Sequence, residues 1–206
     1  MYNIKQHANN LFKLICGGMS VTLGIMITLI LYGDIKDKSI TSKLCRVLSD
    51  YGGVLYFSDS KAVRYGNFDT ISFIILECDN VHEISIPNCI VIFKSKQSGS
   101  CHIKLCNTAI SIVESSNKNA IRAISGNDNP CISCGMLAND TITLSSISDT
   151  GAIISIQRCI NEINGSAIEP CDVNVKLKNF CDGFTLLSIF CFLTLAGYMN
   201  NGNLQM

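Results

Sequence analysis

The sequence predicts a mainly β protein, in which an N-terminal transmembrane helix is followed by a short helix and a disulfide-stapled antiparallel β-sandwich or barrel-like domain. Three observations lead to this fold class. An uncharged apolar run occupies residues 14–33, short β-branched stretches separated by polar turns fill residues 52–182, and the 206-residue chain contains 12 cysteines.

The apolar run at residues 14–33 follows a short N-terminal tail, residues 1–13. At a rise of about 1.5 Å per residue, a helix of this length spans the roughly 30 Å hydrocarbon core of a bilayer. A cleaved signal peptide is the alternative, but its apolar stretch is normally about 7–15 residues long. Cleavage after Gly33 would also place Leu31 where a small side chain is preferred. The run therefore predicts an uncleaved signal anchor.

Two kinds of observation disagree about the side of the membrane on which the rest of the chain lies. More Lys and Arg residues follow the run than precede it, which favours the cytosol. The cysteine content and two N-glycosylation sequons, at Asn139 and Asn164, favour the extracytoplasmic side. Because many unpaired thiols are a chemical liability, the cysteines decide the prediction. We expect a membrane glycoprotein with its Cys-rich domain on the extracytoplasmic side.

The cysteines between the apolar runs predict disulfide bonds. Cys16 and Cys191 lie within apolar runs, where a thiol behaves as a small hydrophobe. The other ten are an even number, as pairing requires, and such a density is typical of oxidising compartments. Their connectivity stays open at this level. The disulfide candidates are Cys45, Cys78, Cys89, Cys101, Cys106, Cys131, Cys134, Cys159, Cys171 and Cys181.

Residues 34–51 predict an amphipathic helical linker. Five apolar side chains recur there at helical spacing, and glycines at positions 52 and 53 end the pattern. The five are Ile40, Leu44, Val47, Leu48 and Tyr51. Such a helix would join the membrane segment to the β domain.

Residues 52–182 predict the Cys-rich β domain. About ten short stretches rich in Ile and Val are separated by segments rich in Gly, Asn, Ser and Pro, which favour turns. The stretch TITLSSI alternates between apolar and polar residues, as a strand with one buried face does. The predicted strands are residues 54–57, 71–77, 84–86, 89–94, 100–106, 109–113, 120–125, 141–147, 152–159 and 173–177.

A second apolar segment occupies residues 184–199 and is followed by a polar tail, residues 200–206. Its length lies between that of a usual core helix and that of a usual spanning helix. The segment is therefore either a second transmembrane helix or a helix packed on the domain.

Cys131 and Cys134 form the only Cys-x-x-Cys of the chain. A structural zinc site needs four ligands, and the nearest further ones, Cys101, His102 and Cys106, depart from the paired spacing of zinc ribbons. A redox centre needs a helix that begins at the pair, whereas the residues that follow predict a strand. We therefore expect the two thiols to form disulfides with different partners, and we predict no metal site.

Few residues suggest catalysis or ligand binding. His82 lies near acidic residues, as in an acid–base cluster, but a solvated turn has the same composition. His102 is the other central histidine. The sequence shows no Gly-x-Ser-x-Gly, phosphate-binding loop or dinucleotide fingerprint, so we predict no catalytic residue and no cofactor. Lys and Arg total 16, as do Asp and Glu, and no basic patch is present, which argues against a nucleic-acid partner.

One segment carries a resemblance to a known family. CGGMS ahead of an apolar helix, then an amphipathic helix and a β-rich domain, loosely resembles type IV pilin-like subunits. The resemblance implies a subunit of a pilus or secretion assembly. Those subunits have Glu at the fifth position of the mature chain, where this sequence, counted from Met19, has Leu23.

The features together predict a non-enzymatic, membrane-anchored surface or envelope protein whose β domain mediates attachment or protein–protein interaction. Its partners would be the lipid bilayer and a receptor or assembly protein. Three alternatives stay open: a pilin-like or secretion-assembly subunit, a cytosol-facing zinc-binding module, and a membrane-tethered enzyme.

Overall fold

The computed structural model describes residues 26–66, 69–96, 102–178 and 181–199, and the backbone of residues 203–205. Its dominant feature is an 11-stranded sheet with the strand order β15-β14-β11-β10-β9-β8-β6-β1-β4-β2-β3. Seven neighbouring strand pairs in this sheet are parallel and three are antiparallel. The protein therefore has a mixed α/β fold built on a mostly parallel sheet.

The strands are β1 Ile27–Tyr32, β2 Gly53–Ser58, β3 Lys61–Tyr65, β4 Ile71–Cys78, β5 Glu83–Ile84, β6 Cys89–Phe93, β7 Lys104–Leu105, β8 Ile110–Glu114, β9 Cys131–Gly135, β10 Ile142–Ile147, β11 Gly151–Ile156, β12 Ile160–Asn161, β13 Ala167–Ile168, β14 Cys171–Lys176 and β15 Asn203–Gln205. The described helices are α1 Ser39–Leu48, α2 Lys118–Ile124 and α3 Gly183–Leu195. Two further two-stranded pairs, β12 with β13 and β5 with β7, lie outside the large sheet.

Strand β1 corrects the prediction of a membrane anchor. Residues 27–32 of the predicted transmembrane helix form a central strand, hydrogen-bonded to β4 on one side and to β6 on the other. A parallel strand that is covered on both faces is apolar along its whole length, so it resembles a membrane segment in hydropathy. Residues 14–25 of the predicted anchor lie outside the described residues.

The predicted location, on the extracytoplasmic side of a membrane, is wrong as well, because it depended on that anchor. No helix in the described part of the chain is both long enough and apolar enough to cross a membrane. Helix α3, which covers residues 184–195 of the second apolar segment, has 13 residues, of which 12 are buried in the protein. A helix that is apolar on all sides is expected in a protein core as well as in lipid. The predictions of a transmembrane signal anchor and of an extracytoplasmic, membrane-displayed domain are therefore corrected.

The sheet buries apolar side chains on both faces. One core lies on the face covered by α1 and α3. It contains alternate residues of β1, β2 and β4, and it includes Leu29, Phe73 and Phe190. The other core lies on the opposite face, where α2 and the β5–β7 pair pack, and includes Ile30 and Phe93. Covering both faces in this way is typical of α/β proteins with parallel sheets. The predicted antiparallel β-sandwich or barrel is therefore wrong.

The error about fold class came from reading short apolar stretches as antiparallel strands. Strand length and composition do not state the pairing direction, which depends on whether the connection is a hairpin or a crossover. One predicted strand, at residues 120–125, is largely helix α2, which Asn117 caps by accepting a hydrogen bond from the Ala120 N–H. Two alanines of α2, Ala120 and Ala123, pack against the sheet.

The cysteines of the described residues are free thiols, so the prediction of a disulfide-stapled domain is wrong. They are Cys45, Cys78, Cys89, Cys106, Cys131, Cys134, Cys159, Cys171, Cys181 and Cys191. Cys101, the remaining disulfide candidate, lies outside the described residues. Burial raises the pKa of the Cys45, Cys78 and Cys89 thiols to about 12, so these three stay protonated and serve as small core side chains.

Candidate functional site

The order of the strands places a change of direction in the sheet at β1. From β1 the chain passes through α1 to β2 on one side, and it later reaches β6 on the other side of β1. This reversal is the topological switch point of an open α/β sheet, outside which ligands characteristically bind. The residues that follow β1 and β6, and the last residues of β4, lie at this edge.

A loop of residues 33–38 joins β1 to α1. Gly33 begins it with φ +141°, and a Cβ atom there would lie 2.7 Å from the Lys96 carbonyl oxygen. The same Cβ would lie 2.9 Å from the Cβ of Lys94, so only glycine fits against the chain that follows β6. The Asp34 N–H donates to the Lys96 carbonyl at 2.9 Å, which holds the loop against that segment.

The carboxylate of Glu77 lies beneath this loop. Glu77 belongs to the same face of β4 as Phe73 and Ile75, because alternate residues of a strand share a face. Its side chain is fully buried, and its two oxygens accept hydrogen bonds from four side chains. The donors are Lys38, Thr41, Tyr56 and Lys94, and with Glu77 they form what we call the Glu77 cluster.

Lys94 is the buried cation of the Glu77 cluster. Only 1% of its side chain is exposed. Its ammonium donates to Glu77 Oε1 at 2.5 Å, to the Asp37 carbonyl at 2.8 Å and to the Asp34 carbonyl at 3.0 Å. Three acceptors match the three N–H groups of a lysine, so this buried charge is both paired and fully hydrogen-bonded.

Lys38 is the exposed cation of the Glu77 cluster, with 40% of its side chain in contact with solvent. Its ammonium donates to the second carboxylate oxygen of Glu77 and, at 3.1 Å, to the hydroxyl of Tyr56. These two contacts use two of the three N–H groups of the lysine. Lys38 is therefore the group through which the cluster presents positive charge to solvent.

The hydrogen bonds of the Glu77 cluster set its protonation states. Burial by itself raises the pKa of Glu77, but the bonds from Lys38, Lys94, Thr41 and Tyr56 together bring it below its ordinary value. Burial lowers the pKa of Lys38, but the bonds to Glu77 and Tyr56 outweigh it and leave that pKa raised. Glu77 is therefore a carboxylate and Lys38 an ammonium at neutral pH.

Asp37 lies two residues before helix α1, which begins at Ser39. Its Oδ1 accepts hydrogen bonds from the Ser39 N–H at 3.1 Å and from the Ser39 hydroxyl at 2.7 Å. Burial raises the pKa of Asp37, but these bonds and the charges of Lys94 and Lys96 lower it below the ordinary value. A carboxylate is favoured at this position because the first N–H groups of a helix are positively polarised.

The residues that the sequence analysis singled out lie elsewhere. Cys134 is buried and contacts the thiol of Cys191 on α3, whose pKa burial raises well above its ordinary value. Cys131, on the opposite face of β9, is exposed and lines a cavity of about 470 Å³ at the amino ends of β8 and β9. Across the described residues, no three His, Cys, Asp or Glu side chains gather as metal ligands.

The histidines and the sequons occupy the surface. His82 and His102 are both exposed, and the backbone carbonyl of His82 accepts from the Lys104 N–H at 2.9 Å. Asn139 lies in the exposed segment between β9 and β10, and Asn164 lies in the turn between β12 and β13. Glycosylation of these two asparagines stays a prediction, as do a bilayer and a protein as partners and the lack of a nucleic-acid partner.

Sequence reasoning missed every member of the Glu77 cluster, although two patterns pointed to it. Glu77 and Lys94 each stand at the carboxyl end of a continuous apolar stretch, SFIILE and IVIFK. Gly33 comes directly after an apolar strand, and Lys38-Ser39 opens a helix, as the lysine and hydroxyl residue of a phosphate-binding loop do. The motif escaped because Asp37 replaces its second glycine and the loop is one residue shorter.

The fold is similar to that of several solved ligases. MurF ligase from Thermotoga maritima in complex with ADP aligns with a TM-score of 0.52 and 12% identity, covering 98% of this chain and 52% of that one. The murein peptide ligase Mpl from Psychrobacter arcticus 273-4 aligns with a TM-score of 0.52 and 9% identity, covering 98% and 50%. UDP-N-acetylmuramoyl-L-alanyl-D-glutamate–2,6-diaminopimelate ligase aligns with a TM-score of 0.51 and 8% identity, covering 91% and 45%.

The chain thus spans about half the length of these solved structures. No protein-family profile matches the sequence. No curated protein matches it in a sequence search.

These likenesses complete the correction of the predicted function. The prediction of a non-enzymatic surface, envelope or attachment protein rested on a membrane anchor, disulfide bonds and a β-sandwich. The structure instead has a central strand at residues 27–32, free thiols at the described cysteines, and a mostly parallel sheet. The central strand also removes the basis of the pilin-like and membrane-tethered alternatives, and no cluster of metal ligands among the described residues supports the zinc module. This chain shares its fold with the three ligases named above.

Proposed function

We propose that this chain is a nucleotide-binding domain of an ATP-dependent ligase-type enzyme, and that the 33–38 loop and Lys38 bind the phosphate groups. The observation that carries the proposal is the strand–loop–helix unit at the switch point of the sheet, with the half-exposed ammonium of Lys38 at its end. Glycine-started loops between a strand and a helix, followed by Lys and a hydroxyl residue, bind phosphates in many unrelated nucleotide enzymes.

The charge arrangement supports a polyphosphate as the ligand. Lys94 is 1% exposed and paired with Glu77, so the positive charge that a ligand can meet is that of Lys38, whose side chain is 40% exposed. The raised pKa of Lys38 keeps its ammonium charged throughout the neutral range. A lysine in this setting acts as a point charge that stabilises phosphoryl oxygens, both in the bound nucleotide and as charge develops during transfer.

The similar structures support the nucleotide class. The MurF ligase structure named above is a complex with ADP. That ligand belongs to that protein, and at 12% identity the likeness extends to the fold. Together with the position of Lys38, it favours an adenine nucleotide over other phosphate-bearing ligands for this chain.

Binding of ADP to purified protein, measured by isothermal titration calorimetry, tests the proposal. We expect the wild type to bind, and Lys38→Ala to bind at least about tenfold more weakly, because a charged hydrogen bond of about 1.5–3 kcal/mol is lost. Lys118→Ala, on the exposed start of α2, is the matched control and should bind like the wild type. Equal affinities of the wild type and Lys38→Ala would contradict the proposal.

A further inference from the structure

Lys94 has a position that a lysine side chain seldom takes. Lysines are almost never fully buried unless they are paired, and this one is 1% exposed. Its ammonium is enclosed by one carboxylate oxygen and two main-chain carbonyl oxygens, from Glu77, Asp34 and Asp37, at 2.5–3.0 Å. Two of these three oxygens belong to the 33–38 loop, so the ammonium holds the loop to the sheet.

Carboxylate and carbonyl oxygens are also the ligands of hard divalent cations such as Mg²⁺ and Ca²⁺. In phosphate-binding loops of the strand–loop–helix kind, a hydroxyl of the loop and an acidic residue hold Mg²⁺ beside the phosphates. The corresponding groups here are the Ser39 hydroxyl, which follows Lys38, and the buried carboxylate of Glu77. The hydrogen bonds that these two groups already make determine whether they can bind a metal ion.

Neither group fits a metal ion in this chain. The two oxygens of Glu77 accept from two ammonium groups and from the hydroxyls of Thr41 and Tyr56. The Ser39 hydroxyl is turned to Asp37 Oδ1, at 2.7 Å. A divalent ion at Glu77 would have to displace these donors and stand beside two positive charges, both of which are unfavourable.

We propose that the ammonium of Lys94 is a built-in cation that takes the place of a divalent metal ion beside the phosphate-binding loop. Binding of a nucleoside diphosphate such as ADP by this chain is therefore independent of Mg²⁺. The inference rests on the proposed function. It goes further, because it states which cation of the site is supplied by the protein itself and which one is not required.

The wild-type protein alone provides the first test. ADP is titrated into it by calorimetry in one buffer with Mg²⁺ and in another with EDTA. We expect affinities that agree within about twofold, since the cation is covalently part of the chain. ADP binding that is at least about tenfold tighter with Mg²⁺ overturns the inference and leaves the proposed function intact. Absence of binding in both buffers overturns the proposed function, and the inference with it.

The variant Lys94→Met tests whether Lys94 is the reason that ADP binding does not require Mg²⁺. Methionine is apolar, unbranched and similar in length, so it removes the charge while filling most of the space. We expect ADP binding by this variant to become at least about fivefold tighter with Mg²⁺ than with EDTA, because Glu77 Oε1 is released as a ligand. Lys118→Met is the control, in which the exposed lysine of α2 is lost and Mg²⁺ should have no effect.

Mn²⁺ titration followed by electron paramagnetic resonance gives a second readout that needs no nucleotide. The signal of free Mn²⁺ should be the same with wild type and with Glu77→Gln, because Glu77 is not a metal ligand when Lys94 is present. A Glu77-dependent loss of free Mn²⁺ in the wild type overturns the inference. If Lys94→Met does not fold, the comparison of ADP binding by the wild type with Mg²⁺ and with EDTA still decides the matter.

Discussion

The two ends of strand β4 each bury a large side chain, one by apolar packing and the other by hydrogen bonds to charged and polar groups. Phe73, near the start of the strand, and Glu77, near its end, are both completely or almost completely buried on the same face of the sheet. Phe73 packs edge-on against Phe192 of α3, with ring centroids 6.0 Å apart, and against Tyr198 at 5.6 Å. Glu77 instead accepts hydrogen bonds from four side chains.

The difference shows that the two ends of β4 make different contributions to the structure. Burying an aromatic ring stabilises the protein through apolar area and packing, with no special geometry at any one atom. Burying a carboxylate costs solvation, and paired ammonium groups offset this cost only in good geometry. The aromatic end therefore stabilises the domain, whereas the charged end stabilises one conformation of the 33–38 loop. Three experiments would break or sharpen this comparison.

The largest effect is expected at the aromatic end. Phe73→Ala removes a ring that is completely buried and leaves a cavity between β4 and α3. We expect a loss of about 4 kcal/mol in the free energy of unfolding, measured by urea denaturation monitored by circular dichroism. Leu137→Ala is the control, because that side chain is 64% exposed and its loss should change stability by less than about 0.5 kcal/mol.

A smaller loss is expected at the charged end. Glu77→Gln keeps the shape of the side chain but removes the charge that compensates Lys94, and we expect the free energy of unfolding to fall by about 3 kcal/mol. Urea denaturation measures it under the same conditions. Glu83→Gln is the matched control, since its carboxylate is exposed and meets Lys104 at 3.5 Å. Equal stabilities for these two variants would show that the buried pair contributes nothing to the fold.

The smallest effect is expected in the pH dependence of stability. The folded-state pKa of Glu77 lies below the ordinary value of 4.5, so its contribution is complete above pH 4.5 and is lost as the pH falls through the lower, folded value. Asp37, whose pKa is also lowered, contributes with the same sign. The melting temperature of the wild type should therefore fall more steeply between about pH 5 and pH 3 than that of Glu77→Gln. Parallel curves for the two proteins would contradict the assignment.

Sequence reasoning was most successful where neighbours in the chain are neighbours in the sheet. Predicted strands at residues 141–147 and 152–159 correspond to β10 Ile142–Ile147 and β11 Gly151–Ile156, an antiparallel pair joined by a short turn. It failed at β1, whose partners β4 and β6 begin more than forty residues later in the chain. Hydropathy reports that a segment is buried, but the surroundings that bury it are supplied by distant residues.

The Glu77 cluster and the 33–38 loop were not predicted from the sequence for a related reason. Once residues 14–33 had been interpreted as a membrane helix, Gly33 was its last residue, and Lys38-Ser39 had no strand before it to suggest a phosphate-binding loop. Glu77 and Lys94 are 17 residues apart in sequence and become partners only because β4 and β6 flank β1. No local pattern could have paired them.

By itself the sequence determined that the chain has a large apolar core, an amphipathic helix near residues 34–51 and many short buried segments, because these properties follow from the spacing of apolar side chains. Only the tertiary structure decided that the strands run parallel, that the described thiols stay free, and that Lys38, Glu77 and Lys94 meet at one edge. Pairing direction and long-range ion pairs are set by crossover connections between distant segments, and local periodicity carries no record of them.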